Sequence, residues 1–248
     1  MLRAVIFDLG HTVWNYAPTE EMRRLHVLRL HAAIEASVGT DSLSPAALDR
    51  ALGRSVGRLI KRWEEDGDID QPPSDDLLRE ALASLDITPP NEVVGELTAV
   101  FFGAEHDMPV IEPDTLEPIA VLSEQGLTLG CVTNTLTLHT GIEDALRRLG
   151  MLRYVRSVVS SSAMGYRKPH ASLFQRALEE LDVAPEDALF VGDRLFDDVS
   201  GAHGVGMRAV LTHQYRQEPL AGARVAPVAV IRRLSELPRV IEELTRRS

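Results

Sequence analysis

Cysteine is almost absent from this chain: Cys131 is the only one in 248 residues. No intrachain disulfide can form, and a reducing compartment is expected. Aromatic residues make up 5%, too few for the stacking platform that single-stranded nucleic acid uses. Positive charge is in deficit, with a formal net charge of -11. That argues against non-specific binding to nucleic acid or anionic membrane, where phosphates want Lys and Arg. No apolar run approaches the ~20 residues of a membrane span. Residues 1–7 lack the charged start and long apolar region of a signal peptide. A cytoplasmic protein with no membrane and no nucleic-acid partner is expected. Lysine is scarce as well: of 26 basic residues, only Lys61 and Lys168 are lysines. Arginine is a broad planar fork, lysine a compact point charge on a flexible stem. A lysine kept in so arginine-rich a chain marks a place the fork does not suit. Lys168 is read that way, and Lys61 as a solvated helix charge.

What the chain does contain is rhythm, in ordinary globular proportions of 44% hydrophobic and 25% charged residues. Residues 2–7 are a continuous apolar run, the pattern of a strand buried on both faces of a parallel sheet. Asp8 ends it, and Gly10 permits a tight turn. From about Thr19 the period lengthens, and Met22, Leu25, Leu28, Leu30, Ala33 and Ile34 suit one helix face. Ser44 before Pro45 opens a second helix, to about Glu65. Residues 67–73 form a polar turn. Ser74 then caps a third helix, striped by Leu77, Leu78, Ala81, Leu82 and Leu85, which Pro89 and Pro90 break. Val93, Val94, Leu97, Val100 and Phe101 mark a fourth helix. Residues 17–110 are therefore expected to be almost wholly helical, without strands.

After Pro113 the rhythm alternates. Helices are expected at 114–125, 138–149, 169–181, 196–205 and 235–247, and strands at 127–132, 155–160, 188–191 and 208–211, with a weaker strand near 228–231. The alternation implies the α/β class: a doubly wound parallel sheet with right-handed crossovers. Residues 1–16 and 111–248 would build that core, and 17–110 an inserted helical domain. Ligands of such sheets sit beyond the carboxyl ends of the strands. Asp8, Thr133 with Asn134, and Gly192 with Asp193 follow successive strands there. The helical block enters beside the same edge, placed to act as a lid.

Four stretches carry the chemistry. They are Phe7-Asp8-Leu9-Gly10-His11-Thr12, Val132-Thr133-Asn134, Gly165-Tyr166-Arg167-Lys168-Pro169, and Val191-Gly192-Asp193-Arg194-Leu195-Phe196-Asp197-Asp198-Val199-Ser200-Gly201-Ala202. In that order they resemble the motifs of the haloacid dehalogenase (HAD) superfamily, and the helical block resembles its cap. Each alone is weak; together, in order across essentially the whole chain, they are specific. The resemblance implies a Rossmann-like core and a hydrolase with Asp8 as nucleophile. A carboxylate nucleophile splits one hard displacement into two easier ones, and phosphoryl transfer needs positioning and neutralisation of oxygen charge. Asp8 and Asp193 can hold Mg2+ through oxygen; the resemblance adds the Gly10 backbone carbonyl. Thr133 and Asn134 offer a hydroxyl and an amide to a substrate oxyanion, with Thr12 and His11 as further substrate contacts. Lys168 would neutralise the nucleophile and the transferring group. Asp198 would orient Lys168 or a metal-bound water, and adjacent Asp197 shares or takes that role. A small phosphorylated substrate is implied. Trp14, Tyr16, Arg58, Arg62 and Trp63 are candidate rim residues.

Other motifs are set aside. Gly53-Arg54-Ser55-Val56-Gly57 matches a serine-nucleophile pattern but lies in a helical stretch, not at a strand-to-helix elbow. Gly204-Val205-Gly206 reads as a helix stop, not a dinucleotide loop. Cys131, between Gly130 and Val132, reads as a small core residue.

Gly10 is the departure. Phosphatases of this superfamily carry a second aspartate there, which protonates the leaving group and then activates water. Losing a positioned acid–base lowers rate about 10²–10⁴-fold. Four readings stay open: a metal-dependent phosphohydrolase whose acid is replaced, with His11 one substitute; a dehalogenase; a phosphonatase using Lys61; or a catalytically impaired metal- or ligand-binding protein.

Overall fold

The computed structural model describes residues 1–39, 43–103 and 109–246. Its centre is β1 (Ala4–Phe7), buried on both faces. Alternate side chains point opposite ways along a strand, so β1 serves two apolar clusters. Val5 and Phe7 join one with Leu129 and Leu146; Ala4 and Ile6 join the other with Phe174 and Phe190.

Two short strands, β2 (Asn15–Tyr16) and β3 (Pro109–Val110), pair antiparallel apart from the main sheet. The main sheet continues with β4 (Thr128–Thr133), β5 (Val155–Ser160), β6 (Ala188–Gly192), β7 (Arg208–Thr212) and β8 (Ala229–Ile231). Its order is β5-β4-β1-β6-β7-β8, with every pairing parallel. Strand order reverses around β1, so a crevice opens at the carboxyl ends of β1, β4 and β6. Asp8 lies in that crevice, directly after β1.

The helices are α1 (Glu20–Val38), α2 (Pro45–Glu65), α3 (Ser74–Ala83), α4 (Asn91–Phe102), α5 (Leu116–Glu124), α6 (His139–Arg148), α7 (Ser161–Met164), α8 (Ala171–Leu181), α9 (Gly201–Gly204) and α10 (Leu237–Arg246). Residues of α5, α6 and α10 fill the first cluster, and α8 with the 195–202 segment fills the second. The insertion, α1 to α4, packs around its own cluster of Val27, Leu30, Ile34, Leu48, Leu78 and Leu97. Among the described residues no helix is long and apolar enough to cross a membrane.

Several expectations need correction. Residues 17–110 do contain a strand: Pro109 pairs with Tyr16 and Val110 with Asn15 where the insertion leaves and returns. So short a pairing of distant residues leaves no periodicity to read. Leu25 and Leu28 are 44% and 41% exposed; α1 buries Val27, Leu30 and Ile34 instead. Ser74 does not cap α3, whose cap position is Pro73. Its hydroxyl donates to the Leu136 carbonyl at 2.7 Å, tying the insertion to the loop after β4. The helix expected over 196–205 is a π-helical turn at Leu195–Ser200 followed by α9. A Cβ at Gly201 would lie 2.5 Å from the Phe174 ring, so α9 packs on α8 only through glycine. The end of the last helix at Arg247, and residues 40–42 and 104–108 of the helical block, lie outside the described residues.

Candidate active site

The crevice is a cavity of about 800 Å³ between the core and the insertion. Lys168 lies at its base, 3% exposed. Its Nζ donates to Asp8 Oδ1 at 2.6 Å and to Asp198 Oδ1 at 2.7 Å. Thr12 Oγ1 donates to the other Asp8 oxygen at 3.2 Å. The second Asp198 oxygen accepts from the Arg194 backbone N–H at 2.9 Å. Asp198 can approach because position 192 is glycine: a Cβ there would stand 2.3 Å from Asp198 Oδ2. Asp8, Lys168 and Asp198 thus come from the segments that follow three different strands, β1, β5 and β6, and Lys168 joins them.

Asp193 completes the acidic group. One oxygen from each of Asp8, Asp193 and Asp198 lies within 4.8 Å of the others, and all three residues are buried. The Arg216 guanidinium is 3.1 Å from Asp193 Oδ2 as a charge contact. Even so, that buried oxygen has no hydrogen bond among the described residues. A buried carboxylate oxygen left without a hydrogen-bond donor is unfavourable, and hard oxygen donors suit Mg2+. The residues present therefore fit such an ion.

The electrostatics follow from burial. Burial raises the Asp8 carboxyl to about 6, opposed mainly by Lys168. Burial, then the charges of Asp8 and Asp198, push Asp193 up to about 8 against Arg216. Burial alone would lower Lys168, but the Asp198 and Asp8 carboxylates overcome it and hold the ammonium above its usual value. Burial and the Arg216 charge lower His11. Burial and Asp198 raise Asp197. Six carboxylates face four cationic side chains in the cavity lining, so an anionic substrate meets an acidic pocket.

The structure brings Asp8, Gly10, His11, Thr133, Asn134, Lys168, Asp193, Asp197 and Asp198 to the cavity wall. Thr12, expected as a substrate contact, is fully buried and serves Asp8 from behind. Asn134 spends its amide largely on Lys168: Oδ1 accepts from the Lys168 N–H at 2.8 Å and Nδ2 donates to the Lys168 carbonyl at 3.3 Å. Asp197 stands 3.8 Å from Arg194 Nε; of this adjacent pair it is Asp198 that bonds Lys168. Of the rim candidates, Tyr16 and Trp63 line the cavity. Trp14 is buried, while Arg58 pairs with Glu80 and Arg62 with Asp68. Lys61 pairs with Glu65 on the exposed face of α2. Ser55, in α2, donates to the Leu77 carbonyl and to Glu80, so it is no nucleophile. Cys131 is buried in β4, where burial raises its thiol.

Two features were missed. Arg216 follows β7 by four residues, so the strand-end rule that found Asp193 could have found it. The 67–73 turn docks on the segment before Lys168: Gln71 N–H donates to the Gly165 carbonyl at 2.9 Å and Arg167 N–H to the Ile69 carbonyl at 2.8 Å. The Arg167 guanidinium lies 3.7 Å over the Trp63 ring. Nothing local in either segment announces that meeting.

Comparison with known proteins agrees with this geometry. The chain is 31% identical over 210 residues to a glyceraldehyde 3-phosphate phosphatase of Methanopyrus kandleri, covering 85% of this chain and 83% of that protein. It is 31% identical over 213 residues to a ribulose-1,5-bisphosphate 5-phosphatase of Halopiger xanaduensis, covering 85% and 84%. The 2-haloacid dehalogenase of Pseudomonas syringae pv. Tomato superposes with a TM-score of 0.67 at 25% identity, covering 98% of this chain and 100% of that one. The profile of the haloacid dehalogenase-like hydrolases matches residues 2–206. The chain belongs to the haloacid dehalogenase-like hydrolase family.

Proposed function

We propose that this chain is a magnesium-dependent phosphohydrolase that acts on a small phosphorylated metabolite through an aspartyl-phosphate on Asp8. The observation that carries the reading is the Asp8–Lys168–Asp198 array beside Asp193, whose buried Oδ2 has no hydrogen bond among the described residues. Asp8, Asp193 and the Gly10 carbonyl would hold Mg2+. The ion, when bound, supplies charge neutralisation for the phosphoryl oxygens and relieves their repulsion from the acidic lining.

The chain's own residues do the rest. Thr12 and Lys168 each hold one Asp8 oxygen, so the nucleophile enters the reaction already oriented. The Lys168 charge stabilises negative charge gathering on the transferring group. Asp198 positions that ammonium, and Asn134 clamps the backbone that carries it. Thr133, at the end of β4, offers a hydroxyl to a phosphoryl oxygen. The insertion, residues 17–110, acts as a lid on the core of 1–16 and 111–248, and the β2–β3 pair is its hinge. The relatives' names point to short sugar phosphates as substrates.

The test is phosphate release from glyceraldehyde 3-phosphate, phosphoglycolate and ribulose bisphosphate, with Mg2+ and with a chelator. Turnover is expected only with the metal, and Asp8→Asn is expected to lower it by at least ~10³-fold, the scale on which lost nucleophiles act. Release that survives both treatments overturns the reading. The likeness to a 2-haloacid dehalogenase supports a second reading, which metal-independent chloride release from 2-chloropropionate would establish. The position of Lys61 supports neither a Schiff base nor a phosphonatase, since it does not line the cavity.

A further inference from the structure

We propose that Tyr16 supplies the acid–base function that Gly10 leaves open, its phenol standing where the side chain of residue 10 would project. The assignment rests on the phosphohydrolase reading and names the group that reading lacks. A Cβ built on Gly10 would lie 3.2 Å from Tyr16 Cε2 and 3.3 Å from its hydroxyl oxygen. An aspartate at position 10 would compete for the space the phenol fills. Tyr16 also lines the cavity together with Asp8 and Gly10. It is held there from two sides. Its backbone pairs with Pro109 in the β2–β3 ladder, and the His11 ring meets its ring edge-on at a centroid distance of 5.9 Å.

The chemistry balances without a further reagent. An Asp8 carboxylate oxygen bonds to phosphorus and the ester P–O bond breaks. The electron pair passes to the ester oxygen, which takes the Tyr16 proton and leaves as a neutral alcohol. In the second half, water bonds to phosphorus and the Asp8–phosphorus bond breaks, returning its electron pair to the carboxylate. The Tyr16 phenolate takes the proton that water gives up. A phenol, with an ordinary pKa of about 10, is a stronger acid than an aliphatic alcohol and remains protonated at neutral pH. It therefore helps most where the leaving group is poor.

A series of substituted phenyl phosphates tests this, with leaving groups running from phenol to p-nitrophenol, assayed with Mg2+ on the wild type and Tyr16→Phe. The comparison is made in kcat/KM, which reports the steps up to release of the phenol and not the later hydrolysis of the common Asp8 intermediate, and the wild type is expected to show a shallow dependence of it on leaving-group acidity. Tyr16→Phe is expected to lose ~10²-fold on phenyl phosphate and only a few-fold on p-nitrophenyl phosphate, the signature of a missing acid. An equal loss across the series, with or without a fall in Tm, overturns the assignment and makes the hydroxyl a packing group. A second variant, Gly10→Asp joined to Tyr16→Ala, opens the space and returns a carboxyl to it, and the shallow dependence should return. A double variant as steep as Tyr16→Phe overturns the spatial equivalence. If the wild type releases no phosphate from any member while Asp8 binds no phosphoryl group, the phosphohydrolase reading falls and takes this one with it; a loss confined to Tyr16→Phe leaves that reading standing.

Discussion

The buried charges around Lys168 make pH a probe of single residues. Burial together with Asp8 and Asp198 moves the Asp193 carboxyl from 3.8 to about 8, so the metal-free folded protein keeps a proton that the unfolded chain has released. Between those values the folded state binds more protons, and the contribution of this carboxyl to stability falls as pH rises. Asp193→Asn removes that titration. In chelator, the variant is expected to gain in Tm over the wild type as pH goes from 5 to 8, followed by scanning calorimetry. A gap that narrows over that interval would contradict the burial assigned to Asp193. Asp8 contributes in the same direction over a shorter range, from 3.8 to about 6. Lys168 was legible because lysine is rare in this chain and because it falls in a recognisable motif. Arg216 was not, because one arginine among 24 carries no mark of its own until the loop after β7 sets it 3.1 Å from Asp193. His11 was singled out from the sequence, but its backbone was not legible: it has φ 59°, a left-handed conformation that favours glycine. A side chain held there at some strain, beside the nucleophile, fits the clustering of such residues at active sites.

At the scale of elements, the 67–73 turn joins insertion to core. Gln71 Oε1 accepts from Ser161 Oγ at 3.0 Å and from Arg167 Nη1 at 3.4 Å. Gln71→Ala would remove both contacts, while the Ser161 hydroxyl keeps the Thr135 carbonyl at 3.1 Å, so the loss is that of ordinary hydrogen bonds, about 0.5–1.5 kcal/mol. Denaturant unfolding should show that loss, and amide exchange should quicken in residues 67–73 ahead of α2 and α3. Exchange that quickens uniformly over the insertion would mean that Gln71 supports its core and not its docking. The sequence marked this segment as polar and turn-forming, which it is. Its partner lies about 95 residues further along the chain, and short-range pattern cannot name a partner at that distance. The helices themselves were readable from their stripes and breakers. Which stripe faces inward was less so: α1 carries more apolar residues than its contact with the other helices uses, and Leu25 and Leu28 are left outside.

The whole molecule carries a net charge of -11 and binds, on the reading proposed here, an anion in a pocket whose carboxylates outnumber its cations. A divalent cation reconciles the two, and its binding should appear as stability. Mg2+ at 100 times its Kd is expected to add about 2.7 kcal/mol, read as a rise in Tm that chelator reverses. Asp193→Asn should lose most of that rise, and an undiminished rise would place the ion elsewhere. This readout needs no substrate, so it holds whichever metabolite the cavity takes.

By itself the sequence determined the class of fold, the alternation of strands and helices, the inserted helical block and the residues that arrive at the carboxyl edge of the sheet. These follow from periodicity, breakers and motifs, all of which are local. Only the tertiary structure decided what those residues do once they meet. It turned Thr12 behind Asp8, committed Asn134 to the Lys168 backbone, brought Arg216 beside Asp193, and set the phenol of Tyr16 against Gly10. Each of these depends on close packing between segments separated along the chain or folded back by a turn, where a few tenths of an ångström settle which group occupies a space. The empty side-chain position at Gly10 was visible from the start, and the neighbour that fills it emerged from the fold.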